Sequence, residues 1–324
     1  MKLQIFIFLI LMSVTSAACT TSVEPVEQQD VIETVSEEVF VEPSQDESLS
    51  ANITKNEAIK EPELVQDEEN DVQEIAHDPG LIAHLTFDDS GDDIVSGFDG
   101  EIKGGAEFKS GKIGNGLYFD GVDDYVELST EALATLGELK QGTIAFWLNF
   151  DSILDNQPVM PIFYMGIDDQ QNKVDNMYII EIGHAAGTEA PFDNQYPEGT
   201  PDPKNKRIYS TWIKDGQEPF LCSDSEVNLV EGVWQHFTVV AGPDGNTLYL
   251  NGEEVRNRDY NFGHSTDKAF LDDIPVKEIM TIGYGRSHTW ISPEFVYFKG
   301  LLDDFRIYDR PLESEEILEL FSAD

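Results

Sequence analysis

Two kinds of residue in this chain could do chemistry: carboxylates beside glycine-rich turns, and aromatic rings in polar segments. The first suits a hard cation, since calcium collects six to eight oxygens from carboxylates, backbone carbonyls and water. The second suits a sugar, whose ring offers apolar faces to an aromatic platform and hydroxyl edges to polar neighbours. Trp212, on the alternating run Lys206–Lys214, and Trp290, in the segment Ser287–Pro293, are the candidate platforms. Tyr196 and Asn194 lie in the long polar segment His184–Asn205 and are candidate ligand-binding neighbours. That segment and Asp168–Asn176 read as loop insertions, and loops on a rigid scaffold commonly carry recognition. Covalent chemistry finds little support. The sequence has no Gly-x-Ser-x-Gly elbow, no His-Glu-x-x-His zinc motif and no glycine-rich phosphate loop. Cys222 stands alone in its region with nothing beside it to lower its pKa, and reads as a buried, unreactive thiol.

The surroundings of these residues are strongly acidic. In 324 residues, 63 acids against 20 bases leave a net charge of -43. That balance excludes nucleic acid as a partner, because phosphates need a cationic face, and excludes polybasic docking on an anionic membrane. Hydrophobic residues at 40% and aromatics at 10% still supply a core, so the chain is not disordered throughout. The charge is unevenly spread. Residues 20–80 hold 18 acids, two lysines and one aromatic residue, Phe40. Such a self-repelling stretch cannot offset the entropy of ordering and reads as a disordered acidic linker, reaching roughly 40–50 Å. Before it, Lys2, the apolar run Leu3–Met12 and the small residues Ser13–Ala18 read as a signal peptide over 1–18, too short to span a bilayer permanently.

From Leu81 onward, short apolar runs alternate with Gly, Asp, Asn and Pro. Strands are expected at Leu81–Phe87, Gly116–Phe119, Asp124–Leu128, Thr143–Phe150, Pro161–Ile167 and Met177–Ile182. Further strands are expected at Lys206–Lys214, Val233–Ala241, Thr247–Leu250, Ile279–Tyr284 and Val296–Tyr308. Gly242-Pro243-Asp244-Gly245-Asn246 marks a hairpin and Asn251-Gly252 a tight turn with positive φ. One helix is expected, starting near Pro311 and Ser314, with Ile317, Leu318, Leu320 and Phe321 as its apolar face. Many short strands with so little helix predict a single all-β domain over 81–324, a two-sheet antiparallel sandwich with a short C-terminal helix. Trp234 and Phe237 are expected in its core.

Three blocks carry a family resemblance. Lys112-Ile113-Gly114-Asn115-Gly116-Leu117-Tyr118-Phe119-Asp120-Gly121-Val122-Asp123-Asp124-Tyr125-Val126 resembles the Gly-x-x-Phe-Asp-Gly-x-Asp-Asp-Tyr-Val signature of laminin G-like, concanavalin A-like domains. Val233-Trp234-Gln235-His236-Phe237, followed by Leu248-Tyr249-Leu250-Asn251-Gly252, resembles that family's Trp-x-His strand and its hairpin. Phe298–Tyr308 with Leu312 and Ile317 resembles its closing strand and helix. The resemblance implies a jelly-roll sandwich, and implies carbohydrate as the ligand class. It also implies one structural Ca2+ tying the first strand to the last, with Asp88, Asp120, Asp303 and Asp304 as metal ligands and Asp92 and Asp93 as alternates. His236 is expected to hydrogen-bond within the sandwich rather than to catalyse.

Separately, Ser16-Ala17-Ala18-Cys19 is similar to the lipobox of bacterial lipoproteins, which implies lipidation of Cys19, the alternative being cleavage after Ala18 with Cys19 unmodified. Glu69-Asn70-Asp71-Val72-Gln73-Glu74 matches the Glu-x-Asp-x-x-Glu of retaining β-glucanases, but it lies in the linker, where no rigid strand holds two carboxylates about 5 Å apart. The resulting expectation is a secreted, lipid-anchored module at the cell surface or outer membrane, touching the membrane through its anchor only. It would bind a neutral or calcium-bridged surface glycan and would not be an enzyme. A glycan-cleaving enzyme on the same fold and a structural envelope protein with protein partners are the alternatives.

Overall fold

A computed structural model describes residues 78–152, 159–168, 176–183, 206–215, 220–256, 258, 260–286 and 295–323. In chain order the strands are β1 (Leu81–Leu85), β2 (Gly100–Lys103), β3 (Glu107–Ser110), β4 (Asn115–Asp120), β5 (Tyr125–Leu128) and β6 (Gly142–Phe150). Then come β7 (Met160–Gly166), β8 (Met177–Ile182), β9 (Ile208–Ile213), β10 (Leu221–Asp224), β11 (Gln235–Gly242) and β12 (Gly245–Leu250). The last are β13 (Glu253–Glu254), β14 (Tyr260–Phe262), β15 (Ile279–Ile282), β16 (Tyr284–Arg286), β17 (Phe295–Tyr297) and β18 (Lys299–Tyr308). Helix α1 (Thr130–Leu136) follows β5 and α2 (Ser314–Ser322) follows β18.

Among the described residues all pairings are antiparallel, and they build two eight-stranded sheets and the separate two-stranded pair of β16 and β17. The first runs β13-β12-β11-β6-β18-β4-β3, with β1 also on β18; the second runs β14-β10-β9-β8-β7-β15-β5-β2. β18 is the seam of the first sheet. One edge lies along β6, while the other pairs Lys299–Leu302 with β4 and Phe305–Tyr308 with β1. A bulge between Asp303 and Arg306 makes that change of partner possible, with Asp304 at φ 52.

The core forms where the two inner faces meet. Phe146 and Phe305 of the first sheet stack at 5.6 Å, and Phe163 of the second stacks on Phe305 at 5.8 Å. Each is fully buried, and removing such a ring costs about 3–5 kcal/mol. A smaller cluster under α2, of Val240, Tyr249, Tyr308, Leu312 and Ile317, covers part of the first sheet's outer face. The hairpin of β16 and β17 does the same for the second sheet, where Tyr164, Met177, Ile179 and Ile213 lie beneath it.

The two-sheet all-β architecture is as expected, with corrections in detail. The run Val296–Tyr308 is two strands, because the chain reverses role at Phe298, whose N–H donates to the Gly283 carbonyl. Helix α1 was not expected; it starts on the Ser129 hydroxyl, which accepts the Ala132 N–H at 3.2 Å. Trp234 is half-buried rather than core, and Leu318 of α2 is exposed. The turn at Pro243-Asp244 forms as expected, and Gly245 is required there: a Cβ would stand 1.9 Å from the Ser265 carbonyl oxygen.

Candidate functional site

Four aromatic rings gather on the outer side of the second sheet. β5 alternates, sending Val126 and Leu128 into the core and leaving Tyr125 and Glu127 on the other face. β15 ends at Ile282, and Gly283, at φ 82, turns the chain outward; a Cβ there would lie 2.7 Å from the Phe119 ring. β16 and β17 then pair Tyr284 with Tyr297 and Arg286 with Phe295. Tyr284 is the centre of the group: it stacks on Phe295 at 4.8 Å and on Tyr297 at 4.9 Å, and its ring centre is 4.8 Å from that of Tyr125. Phe295 extends the series edge-on to Tyr164 at 5.7 Å. Tyr125, Tyr284, Phe295 and Tyr297 are all half-buried, so each is held by its neighbours and still presents surface.

Carboxylates border these rings. Burial raises the Tyr125 hydroxyl pKa, and Glu127, Asp168 and Glu101 raise it further against the opposing effect of Lys103. Burial likewise raises Tyr297, with Tyr125 and Asp123 adding to it. Both hydroxyls therefore stay protonated and able to donate at neutral pH. In the turn between β4 and β5, carboxylate oxygens of Asp120, Asp123 and Asp124 lie within 4.8 Å of one another. Asp124 is buried, which raises its pKa, and accepts the Asp120 N–H at 2.9 Å. Flat rings flanked by hydroxyl and carboxylate groups can stack a sugar face and accept hydrogen bonds from its hydroxyls.

The four carboxylates expected to hold calcium do not form one ligand set. Asp303 accepts the N–H groups of Lys112 and Ile113 at 2.7 and 2.9 Å, and Asp88 accepts that of Asn115 at 2.9 Å. Asp304 is taken by His84 and Arg306, at 2.5 and 3.0 Å. Burial would raise the Asp304 pKa, but these two partners hold it below the ordinary carboxylate range. Asp120 lies four residues along β4 from Gly116, which sits against Asp303, a separation of about 13 Å. Of the four, only Asp120 joins a close carboxylate group among the described residues, and its companions are Asp123 and Asp124. Of the alternates, Asp93 is committed to the backbone, accepting N–H groups from His84, Val95, Ser96 and Phe98.

Trp212 is a correction. It is fully buried between the sheets and stacks on Tyr178 at 4.3 Å, so both its faces are core and it offers no platform. Trp290, Tyr196, Asn194 and Cys19 lie outside the described residues, Trp290 in the connection between β16 and β17. The four-ring group escaped sequence reasoning because its members come from three separate strands. The alternation of Tyr284 with Arg286, and of Phe295 with Tyr297, was the available signal.

Two other features are less suited to a ligand. Asp303, Trp147 and His236 form one row across β18, β6 and β11, beneath Phe321 of α2, but all three are buried. A groove of about 1000 Å³ runs beside α2 and the turn at Asn251-Gly252, lined by Glu226, Glu253, Glu254 and Arg256. Phe321 borders it, with its ring already stacked on Trp147.

No curated protein matches the chain. Several solved structures are similar to it at low identity. Domain 4 of an extracellular GH43 arabinanase from Geobacillus stearothermophilus, in complex with arabinotriose, is 19% identical with a TM-score of 0.47, over 75% of this chain and 98% of that one. Trypanosoma rangeli sialidase in complex with the inhibitor DANA is 15% identical with a TM-score of 0.46, over 74% of this chain and 32% of the sialidase. The receptor-binding domain of botulinum neurotoxin C/D mosaic serotype is 15% identical with a TM-score of 0.46, over 75% and 51%. At such identity and TM-score the likeness assigns no reaction. The expectation that the chain is not an enzyme is corrected: the superfamily whose model matches this chain is one of lectins and glucanases, and exclusion of catalysis does not stand. The sequence model described as the concanavalin A-like lectin/glucanases superfamily matches residues 120–318, and the chain belongs to that superfamily.

Proposed function

We propose that this chain is a carbohydrate-binding protein of the cell surface whose domain takes a glycan against Tyr125, Tyr284, Phe295 and Tyr297. The observation that carries the reading is the stack of four half-buried rings on the outer face of a lectin/glucanase sandwich. Stacked rings are rigid, so little conformational entropy is lost when a sugar settles on them. The phenolic hydroxyls and the carboxylates of Asp120 and Asp123 would meet the hydroxyl edge. Glycan-array binding by the full chain tests the reading. Tyr284→Ala, which removes the central ring, is expected to weaken the best ligand by about tenfold or more, roughly 1.5 kcal/mol. An array with no bound glycan sinks the proposal.

The attachment belongs to the same proposal: a signal peptide over 1–18, lipid on Cys19 and the acidic segment 20–80 as a spacer from the membrane. Each buried methylene of an acyl chain contributes about 0.8 kcal/mol to anchoring. The protein is expected in the membrane fraction, and Cys19→Ser in the soluble fraction. Equal partitioning of the two removes the lipid anchor from the proposal.

A further inference from the structure

The outer face of the first sheet holds a polar row that the fold does not satisfy. Asp303 of β18 pairs with Trp147 of β6, and Trp147 with His236 of β11, so the three side chains stand side by side on the face away from the core. They are 0%, 2% and 3% exposed. Among the described residues, Asp303 Oδ1, Trp147 Nε1 and His236 Nδ1 have no hydrogen-bond partner, and neither has Thr238 Oγ1, two residues along β11. Buried polar atoms are nearly always paired, so four together mark a place for a polar group that the chain does not itself supply.

Two side chains cover Trp147. The Lys112 ammonium lies 4.9 Å from its ring, and Phe321, in the last turn of α2, stacks on it at 5.5 Å and stands 6.4 Å from His236. Helix α2 is anchored before that turn: Ile317 is buried, Arg310 holds Glu316, and Tyr249 and Ser314 share a hydrogen bond. Beyond Phe321, Ser322 and Ala323 are exposed. The last turn can therefore unwind while the rest of the helix stays docked, a local opening of the kind open to helix ends. Phe321 also lines the groove of about 1000 Å³ beside Tyr249, Asn251 and Gly252, so displacing its ring joins that groove to the row.

We propose that Asp303, Trp147 and His236 form a second sugar site, closed by Phe321, in which a neutral pyranose replaces the phenylalanine ring on Trp147 and its hydroxyls pair with the unpartnered atoms. The chemistry of the row selects that ligand. An indole face takes the apolar face of a sugar. The indole N–H can only donate, the carboxylate oxygen accepts, and the imidazole, kept uncharged by burial, can do either. Sugar hydroxyls both donate and accept and so meet all three, whereas an apolar ligand leaves them as Phe321 does. The tyrosine rings lie on the outer side of the other sheet, so this site goes beyond the glycan reading above and does not depend on it.

The test titrates cellohexaose, mannohexaose and xylohexaose into the full chain by calorimetry, with Tyr284→Ala present throughout to remove binding at the tyrosine rings. Phe321→Ala is expected to bind the best of the three at least about tenfold more tightly than the protein that keeps Phe321, because the closed state no longer competes. Two further substitutions, each added to Phe321→Ala, are expected to weaken that binding at least about fivefold. Trp147→Phe keeps a ring but lacks the N–H, and Asp303→Asn can keep the bonds to Lys112 and Ile113 while turning a donor toward the site. Thermal melts check that each variant folds, and either one suffices. No gain from Phe321→Ala, the result if internal water alone serves the row, overturns the inference. A gain that neither further substitution reduces overturns it too. Both outcomes leave the tyrosine reading standing, since that reading falls only with an empty glycan array.

Discussion

The chemistry of single residues here is dominated by burial. His236 packs between Trp147, at 5.0 Å, and Phe321, at 6.4 Å, and desolvation lowers its pKa from the ordinary 6.5 to about 4 despite the nearby Asp304 charge. Asp303, in the same row, moves the other way: desolvation raises it to about 6, against two backbone N–H donors. The linkage signs are opposite. A depressed histidine contributes stability that is complete above pH 6.5 and is lost as pH falls toward 4, because the unfolded chain takes up the proton first. A raised aspartate contributes stability that is complete below pH 3.8 and is lost as pH rises through 6. Between pH 6 and 4 the two slopes offset each other. His236→Gln removes one of them, so the stability advantage of the unsubstituted protein over the variant is expected to fall by about 3 kcal/mol between pH 7 and pH 4. Denaturant melts at the two pH values measure it; an unchanged difference would mean that His236 is not held neutral by its surroundings.

At the scale of elements, a few side chains fasten segments that pair poorly by themselves. Between β1 and β2 the chain makes a polar excursion, and Asp93 ties it down by accepting four backbone N–H groups from both sides of the turn. One carboxylate thus satisfies four donors, of which those of His84 and Phe98 are buried and would cost about 1–3 kcal/mol each if left unpaired. Asp93→Ala is expected to lower stability by about 3–4 kcal/mol in chemical denaturation, since water can replace only part of that set. A loss under 1 kcal/mol would mean that the turn holds without it. Helix α2 is fastened differently. Arg310 donates to both carboxylate oxygens of Glu316, at 2.8 and 2.6 Å, and Glu316 also accepts the Glu313 N–H at the helix start. Helix α1 escapes sequence reading although Ser129 and Gly137 mark its ends, because its seven residues are too few for periodicity to declare itself.

At the scale of the molecule, the first and last strands must be joined, and protein groups do this here. β1 pairs with β18 from Leu85↔Phe305 to Leu81↔Tyr308, with one register shift between Leu81 and Ala83, and His84 and Arg306 share the Asp304 carboxylate there. Tyr308 adds a hydrogen bond to Asp78 at 2.7 Å. Because three of the four carboxylates expected to bind calcium, Asp88, Asp303 and Asp304, are committed to protein donors, a chelator is expected to shift the melting temperature by less than about 2 °C. A fall of more than about 5 °C would show that an ion stabilises the folded state by mass action.

The sequence by itself determined the class of fold. Alternation at Ile144, Phe146, Leu148 and Phe150, the turn residues of Gly242–Asn246 and the signature around Phe119-Asp120-Gly121 are local features, and local physics reads them. It also determined that Asn251 and Gly252 would take positive φ, which they do at 53 and 77. Only the tertiary structure decided which aromatic rings face outward. Trp212 sits on a strand that alternates as a half-exposed one would, yet Tyr178 of the neighbouring strand and the facing sheet bury it. Tyr125, Tyr284 and Tyr297 stand up to 172 residues apart in sequence, and they meet because β16 turns back over the sheet at Gly283. Periodicity tells which side of a strand a residue takes, but the partner that covers that side comes from contacts distant in sequence.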